Sequence, residues 1–440
     1  MNSPSDTRQH FVSPLGIVLS FIGVAVGLGN VWRFPYMVAA FGGGAFLLVY
    51  LIILFAFGIP ALLAELTLGR ISQHGPVGTF SRIGLPGGKW WGWLLFLTVL
   101  MGTSYYTVVV GWVLKYFLIS LGGQITHINP ANFFDRVLGG FFGQFIPTAV
   151  VLTLVMFVLF FGINKGVERV SKVFIPLLFA LFVVLIFRTL TLPGAVAGLK
   201  FYFLPDFSKL NWSVVTAAMG QVFFSLSLGG TFLLTYASYL PKDSNLKLNA
   251  LFTGLGDGLA AIFAGLVIVP AAYLFGLQLN SGPPLTFVTA PLIFQNLPGG
   301  DLFAAIFFFS LFIAAYLSDV AAFEVLVVTF QEEWGWQRRP AVLLIGAIEL
   351  SLACLSMISL DFLLKNDLIW GSTMQPVGSA LVIIGLTWFV GRQRTLHEIN
   401  PSSRTLPWEK IWFVWIKFVL PLGIAIILIM GLKDVFNTFF

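Results

Sequence analysis

Gly23-Val24-Ala25-Val26-Gly27-Leu28-Gly29-Asn30 places three glycines inside an apolar run, 14–38, that is otherwise built like a membrane-spanning helix. Each glycine in a helix interior costs about 1 kcal/mol relative to alanine. A second run has the same defect, where Gln221-Val222-Phe223-Phe224-Ser225-Leu226-Ser227-Leu228-Gly229-Gly230-Thr231 ends in a glycine pair beside hydroxyls. One reading is close helix packing through small residues, which membranes favour. The other is a broken helix whose freed carbonyls and amides line a binding site. Backbone of that kind is tolerated only inside protein or along a cavity. Two interruptions five spans apart favour the second reading, because paired Gly-interrupted spans in corresponding positions point to a transport site.

The composition around these stretches demands a lipid setting. Of 440 residues, 58% are hydrophobic and 10% charged, and mean hydropathy is +0.95. Soluble domains carry about 25% charged residues, so a water-soluble enzyme is excluded. A span needs roughly 20 apolar residues. The chain offers 14–38, 42–68, 90–121, 146–162, 167–189, 212–239, 248–278, 300–330, 340–359, 368–390 and 409–432. These runs are unbroken rather than alternating, which argues against a β-barrel. The net charge of +6 is not gathered into a basic block, so no nucleic-acid partner is implied. Cys354 is the single cysteine, which excludes an internal disulfide framework. Residues 1–13 lack the pattern of a secretory signal, so Met1 is expected to stay attached.

Lys and Arg fall on one side of the membrane by roughly two to one if the N-terminus is cytoplasmic. The expectation is therefore a multi-pass protein of the cell (inner) membrane, N-terminus in and C-terminus out. Residues 1–13 form a cytoplasmic segment and 14–189 a first five-span repeat. Residues 190–390 form an outer loop and a second five-span repeat; 391–440 form a cytoplasmic loop, an eleventh span and a short outside C-terminus.

Gly27-Leu28-Gly29-Asn30-Val31-Trp32-Arg33-Phe34-Pro35-Tyr36, followed by Gly42-Gly43-Gly44-Ala45-Phe46, closely resembles the signature of the neurotransmitter:sodium symporter family. Ser225-Leu226-Ser227 and Thr235-Tyr236-Ala237-Ser238-Tyr239 also match. The resemblance runs from about Arg8 to Asp367, and stopping after eleven spans is similar to the bacterial amino-acid branch. It implies an all-α integral membrane fold of two inverted five-helix repeats with broken first and sixth spans, plus an eleventh span. Substrate and sodium would sit at the repeat interface.

The resemblance also assigns residues. A substrate carboxylate would meet the amides of Leu28 and Gly29, the Tyr106 hydroxyl and one sodium. The ammonium would meet carbonyls of Ala25 and Phe224 and the Ser227 hydroxyl. Monoamine carriers of the family hold an Asp at the position of Gly27, so Gly27 leaves room for the substrate's own carboxylate. Gly102, Val109, Phe224, Gly230 and the 318–323 stretch would line the side-chain subsite. Gly102 and Gly230 enlarge it, favouring a bulky or aromatic amino acid.

Sodium prefers hard oxygen ligands. The resemblance implies two sodium ions and no organic cofactor. The first maps to Ala25, Asn30, Ser225 and Asp257. The second maps to carbonyls of Gly23 and Val26 with Ala315, Ser318 and Asp319, while a one-residue shift would put Leu317 at a hydroxyl position. Asp257 stands where the family usually has Asn. Its carboxylate would replace the chloride that animal relatives hold near residues matching Tyr50, Gln221 and Ser225, so transport is expected to be chloride-independent. The bland alternative for Asp257 is a protonated, hydrogen-bonded acid. Arg33 with Asp367 would form the outer gate, and Arg8 with Glu332 the inner one. Glu65 and Glu324 would satisfy backbone freed in the sixth span. Gly166 and Pro176 match a pattern that unwinds the fifth span.

The expected function is sodium-coupled import of a hydrophobic L-amino acid by alternating access, with no bond made or broken and no obligatory protein partner. The alternatives are an amino-acid sensor with little transport and a sodium-coupled osmolyte or amino-butyrate carrier. His10, His74, His127 and His397 offer no Ser/His or Cys/His pairing within the spans, so the chain does not read as an enzyme.

Overall fold

The computed structural model describes residues 9–279, 284–400 and 406–439. Among these the chain is helical throughout, its only extended pairing being one isolated bridge between Gly43 and Pro205. Among the described residues nine helices are long and apolar enough to cross a bilayer unbroken: Gly44–Ser72, Gly88–Leu121, Phe141–Phe160, Ile163–Leu190, Leu246–Leu274, Gly300–Trp334, Arg338–Ile358, Leu360–Val390 and Pro407–Thr438.

The two glycine-interrupted runs supply the remaining spans. The first is a pair of helices, Pro14–Ala25 and Gly29–Ala40, bent by 55° at the break. The sixth is divided into Trp212–Ser225 and Phe232–Ala237. The structure therefore adopts the broken-helix reading of both runs. Each break sits among other spans, because its unpaired backbone needs partners that lipid cannot provide.

The eighth span, Gly300–Trp334, is the centre of the molecule and is buried along its whole apolar window. It packs most extensively against the third span, Gly88–Leu121, and also against the fifth, Ile163–Leu190. The first and sixth spans, the seventh (Leu246–Leu274) and the second (Gly44–Ser72) gather around this scaffold.

On the side where the described chain begins, the molecule is stitched shut. Phe11 is buried and packs with Phe21 and Tyr236. Its N–H donates to the Tyr239 carbonyl at 3.2 Å. Glu168 accepts from the backbone N–H groups of Val12 (2.9 Å) and Ser13 (3.2 Å) and pairs with Lys172. This ties the chain entering the first span to the fifth span's opening turn, Ile163–Glu168, which is π-helical and contains Gly166. Pro176 lies inside the regular helix that follows.

Candidate functional site

At the first break Val26 leaves the helix with extended backbone (φ −74°, ψ 117°). Gly27 N–H donates to Asn30 Oδ1 at 2.9 Å instead of to the carbonyl four residues back, and Leu28 N–H reaches the Tyr106 hydroxyl at 3.4 Å. The break thus turns amides toward the third span and leaves the Gly23 carbonyl without its helical donor.

At the sixth-span break Ser227, Gly229 and Thr231 all take left-handed φ values of 53°, 81° and 61°. Gly229 is required here for close approach: a Cβ on it would lie 2.0 Å from the Gln375 carbonyl oxygen and 2.2 Å from Ser379 N in the tenth span, Leu360–Val390. Glu65 from the second span receives the freed amides, accepting from Gly229 N–H (3.1 Å) and Leu234 N–H (3.4 Å). Leaving a buried amide unpaired costs about 1–3 kcal/mol. Glu65→Ala should therefore lower the thermal midpoint of the detergent-purified protein by several degrees, whereas Glu65→Gln, which keeps an acceptor oxygen, should lose much less. Equal midpoints for Glu65→Ala and the parent would remove Glu65 from this role. Glu324 behaves differently from the sequence expectation. It pairs with Arg338 and accepts from the Tyr239 hydroxyl at 2.7 Å, because it lies on the eighth span beyond reach of the break.

Between the two breaks lies a cavity of about 80 Å3. Ala25, Gly27, Leu28, Gly29, Gly102, Tyr106, Phe224, Ser225, Ser227, Gly230 and Ser318 all line it. Val109 does not; it lines a second cavity of about 300 Å3 with Arg33 and Asp367. Leu28, Gly29, Tyr105, Tyr106 and Phe224 belong to both, so these residues form the partition. Of the 318–323 stretch, Ser318 and Ala322 reach the inner cavity.

The glycines differ in what they leave open. A Cβ on Gly27 would stand 3.0 Å from the Tyr106 hydroxyl oxygen and 3.5 Å from Ser318 Oγ. A Cβ on Gly102 would meet nothing within 4 Å. One on Gly230 would lie 2.7 Å from the Phe232 ring, so the space that Gly230 releases is already filled by Phe232. The enlargement expected from two glycines therefore comes from Gly102 alone.

Asn30, Ser225 and Asp257 are brought together and fully buried. Asn30 Nδ2 lies 2.7 Å from Asp257 Oδ1 and 3.0 Å from Ser225 Oγ, and Ser225 Oγ donates to the Asp257 carboxylate at 2.9 Å. Ser225 and Asp257 bring hydroxyl and carboxylate oxygens together beside the first break, the ligand types a hard cation takes, while Asn30 meets them through Nδ2 and keeps Oδ1 on Gly27 N–H. Gln221 Nε2 donates to the Gly29 carbonyl at 3.0 Å, and the buried Tyr50 ring lies beside Asp257.

Beside the second expected cation set, Gly23 meets an apolar side chain of the eighth span. Leu317 is the eighth-span side chain facing Gly23, with Cδ1 3.2 Å and Cβ 3.4 Å from a Cβ placed there. Ser318 turns into the inner cavity, and Asp319 accepts from the Thr107 hydroxyl at 3.1 Å on the third span. Successive residues of a helix point about 100° apart, so Leu317, Ser318 and Asp319 face three different directions. Ala315 is buried and adds no side-chain oxygen.

At the expected outer gate, the Arg33 guanidinium lies 4.8 Å above the Phe224 ring, and Asp367 Oδ1 accepts from the Tyr105 hydroxyl at 2.6 Å. Among the described residues these two charges form no ion pair within 4 Å. At the expected inner gate, Glu332 accepts from Gly75 N–H at 2.9 Å, while Arg8 lies outside the described residues.

Sequence reasoning did not single out Thr98, Val99, Thr103, Phe232, Trp370 and Gln375, which also line the inner cavity. Gln375 carried a usable signal, as an amide in the middle of an apolar span. The apolar residues carried none, because lining residues and packing residues have the same composition.

Comparison with known proteins supplies the family and the fold. The profile of the sodium:neurotransmitter symporter family matches residues 8–135 and 141–439. The crystal structure of MhsT in complex with L-phenylalanine superposes with a TM-score of 0.86 at 34% identity, covering 96% of this chain and 100% of that one. An uncharacterized sodium-dependent transporter of Haemophilus influenzae is 34% identical over 98% of this chain and its own full length. The sodium-dependent transporter YhdH of Bacillus subtilis is 32% identical over 95% of this chain and 96% of its own. The Drosophila melanogaster sodium-dependent serotonin transporter is 30% identical over 97% of this chain and 77% of its own. This chain belongs to the sodium:neurotransmitter symporter family and is a sodium-dependent symporter of its bacterial branch.

Proposed function

We propose that the protein imports a hydrophobic, bulky or aromatic L-amino acid together with sodium, by alternating access and without chloride. The observation that carries this reading is the inner cavity. It has polar backbone and the Tyr106 hydroxyl at its Gly27–Gly29 end, and Gly102 open among Val99, Phe232 and Trp370. The likeness to a transporter crystallised with L-phenylalanine supports it. The carboxylate would meet Leu28, Gly29 and Tyr106, and the ammonium Ala25, Phe224 and Ser227. The sodium would lie among Ala25, Asn30, Ser225 and Asp257. The rings of Phe224, Phe232 and Trp370 line the inner cavity and would pack against the substrate's apolar side chain.

In this reading the N-terminus is cytoplasmic, the closed side faces the cytoplasm, and the larger cavity is the entrance. Residues 14–189 and 190–390 carry the two inverted repeats. Arg33 and Asp367 approach over bound substrate as the outer gate; Glu332, with Arg8, governs the inner one. The membrane potential contributes roughly 2.3 kcal/mol per sodium at 100 mV.

Sodium-driven uptake into proteoliposomes, with all twenty amino acids as competitors, tests the reading. Excess phenylalanine, tryptophan, tyrosine or leucine should block uptake of a labelled aromatic amino acid, and alanine uptake unaffected by these competitors would refute the substrate assignment. Gly102→Leu fills the open side of the cavity. It should cut phenylalanine uptake relative to alanine by about tenfold, the scale of one or two misplaced methylenes. An unchanged ratio would place the side-chain subsite elsewhere.

A further inference from the structure

We propose that this symporter binds a single sodium, at the Asn30–Ser225–Asp257 site, and that Leu317 closes the Gly23 side of the first-span break to a second cation. The inference rests on the sodium coupling described above and concerns its stoichiometry.

The break gives up helical hydrogen bonds on two sides. On one side Asn30 gathers oxygen donors from the sixth and seventh spans, Ser225 and Asp257. On the other, the Gly23 carbonyl loses its donor because Gly27 N–H is drawn to Asn30 Oδ1. A hard cation needs several oxygens around it, since carbonyl or carboxylate groups must replace its water. Around Gly23 the nearest atoms are hydrocarbon instead. Leu317 Cδ1 and Cβ stand 3.2 and 3.4 Å from the Gly23 Cβ position, and Ile175 Cδ1 of the fifth span stands 3.6 Å from it.

The eighth span has oxygen-bearing side chains nearby, but neither is among the three atoms nearest the Gly23 Cβ position. Ser318 faces the substrate cavity, and the Asp319 carboxylate is held by Thr107 at 3.1 and 3.2 Å. Turning either toward Gly23 would require rotating a helix whose apolar window is buried throughout. Gly23 cannot exclude Leu317 either, because it has no side chain of its own. A dehydrated cation placed here would exchange its hydration for methyl groups, an exchange that burial makes unfavourable.

One sodium per substrate changes what the transporter can achieve. With no membrane potential, a tenfold sodium gradient balances about a tenfold gradient of a neutral zwitterion for one sodium, and about a hundredfold for two.

Equilibrium binding of radioactive sodium to the purified full-length protein tests the proposal without needing the substrate. The expected result is about one sodium per chain, and Leu317→Ser, which exchanges the hydrocarbon beside Gly23 for a hydroxyl, should raise it to about two. Two sodium ions on the parent protein would overturn the inference while leaving sodium coupling intact. One sodium on both the parent and a folded Leu317→Ser variant would overturn the role given to Leu317. No saturable sodium binding at all would instead overturn the sodium reading of the Asn30–Ser225–Asp257 site. If the variant does not fold, the substrate gradient that stops net flux in parent proteoliposomes decides the number, tenfold supporting one sodium and hundredfold refuting it.

Discussion

Gly27→Asp is expected to abolish amino-acid uptake, lowering it at least about a hundredfold, a loss equivalent to about 2.7 kcal/mol of binding. The reason is local. The Cβ would stand 3.0 Å from the Tyr106 hydroxyl oxygen, so the new carboxylate must project into the space between Tyr106 and Ser318. That is where the proposed substrate presents its own carboxylate, and two like charges in a desolvated site repel far more strongly than in water. The substitution should spare a ligand that lacks the carboxylate. Phenethylamine should therefore compete better than phenylalanine for binding to the variant, the reverse of the parent. Uptake of phenylalanine within threefold of the parent, at equal amounts of folded protein, would show that the substrate carboxylate does not lie against Gly27.

Asp257→Asn should produce the second-largest effect and convert a chloride-indifferent transporter into a chloride-requiring one. Asp257 is fully buried and bonded to Asn30 and Ser225, with Tyr50 and Gln221 also buried near the first break. A sodium in this setting is matched by the Asp257 charge; with Asn in its place the cation lacks a counter-charge in a medium of low dielectric. Uptake by the variant should fall at least about tenfold when gluconate replaces chloride, about 1.4 kcal/mol, and recover when chloride is restored. The parent should be unaffected by the exchange. A tenfold loss in the parent would mean that Asp257 does not serve as the fixed negative charge.

The fold was legible because the solvent dictates it. Lipid demands long apolar helices, and the two places that defied this demand, 23–30 and 221–231, were the two places where the helices break. The Asn30–Ser225–Asp257 cluster was legible for a related reason, since polar groups inside spans are too costly to stand without partners. Register and packing were not legible. Leu317, Ser318 and Asp319 are consecutive, and nothing in their order says which one faces Gly23; Thr107 claims Asp319 and so turns Leu317 toward the break. Gly102 and Gly230 look alike as missing side chains, yet Phe232 fills one space and leaves the other. Glu324 was paired with the wrong element because Arg338, which begins the next span, reaches back to it. For Asp319 and Glu324 the deciding atom lies on a different helix, and for Gly230 it lies on a ring two residues further along its own span.

The enclosure of Gly300–Trp334 also has a consequence for how the protein is made. In the finished molecule its apolar window never meets lipid, but while it is being synthesised it enters the bilayer before its surroundings are complete. An acid at the centre of an inserting helix costs about 2.5–3.5 kcal/mol. Asp319 finds its partner Thr107 on a span made long before, whereas Glu324 waits for Arg338, fourteen residues later. The helix is therefore best delivered together with its successor, as a hairpin whose charges neutralise one another before either strand is released.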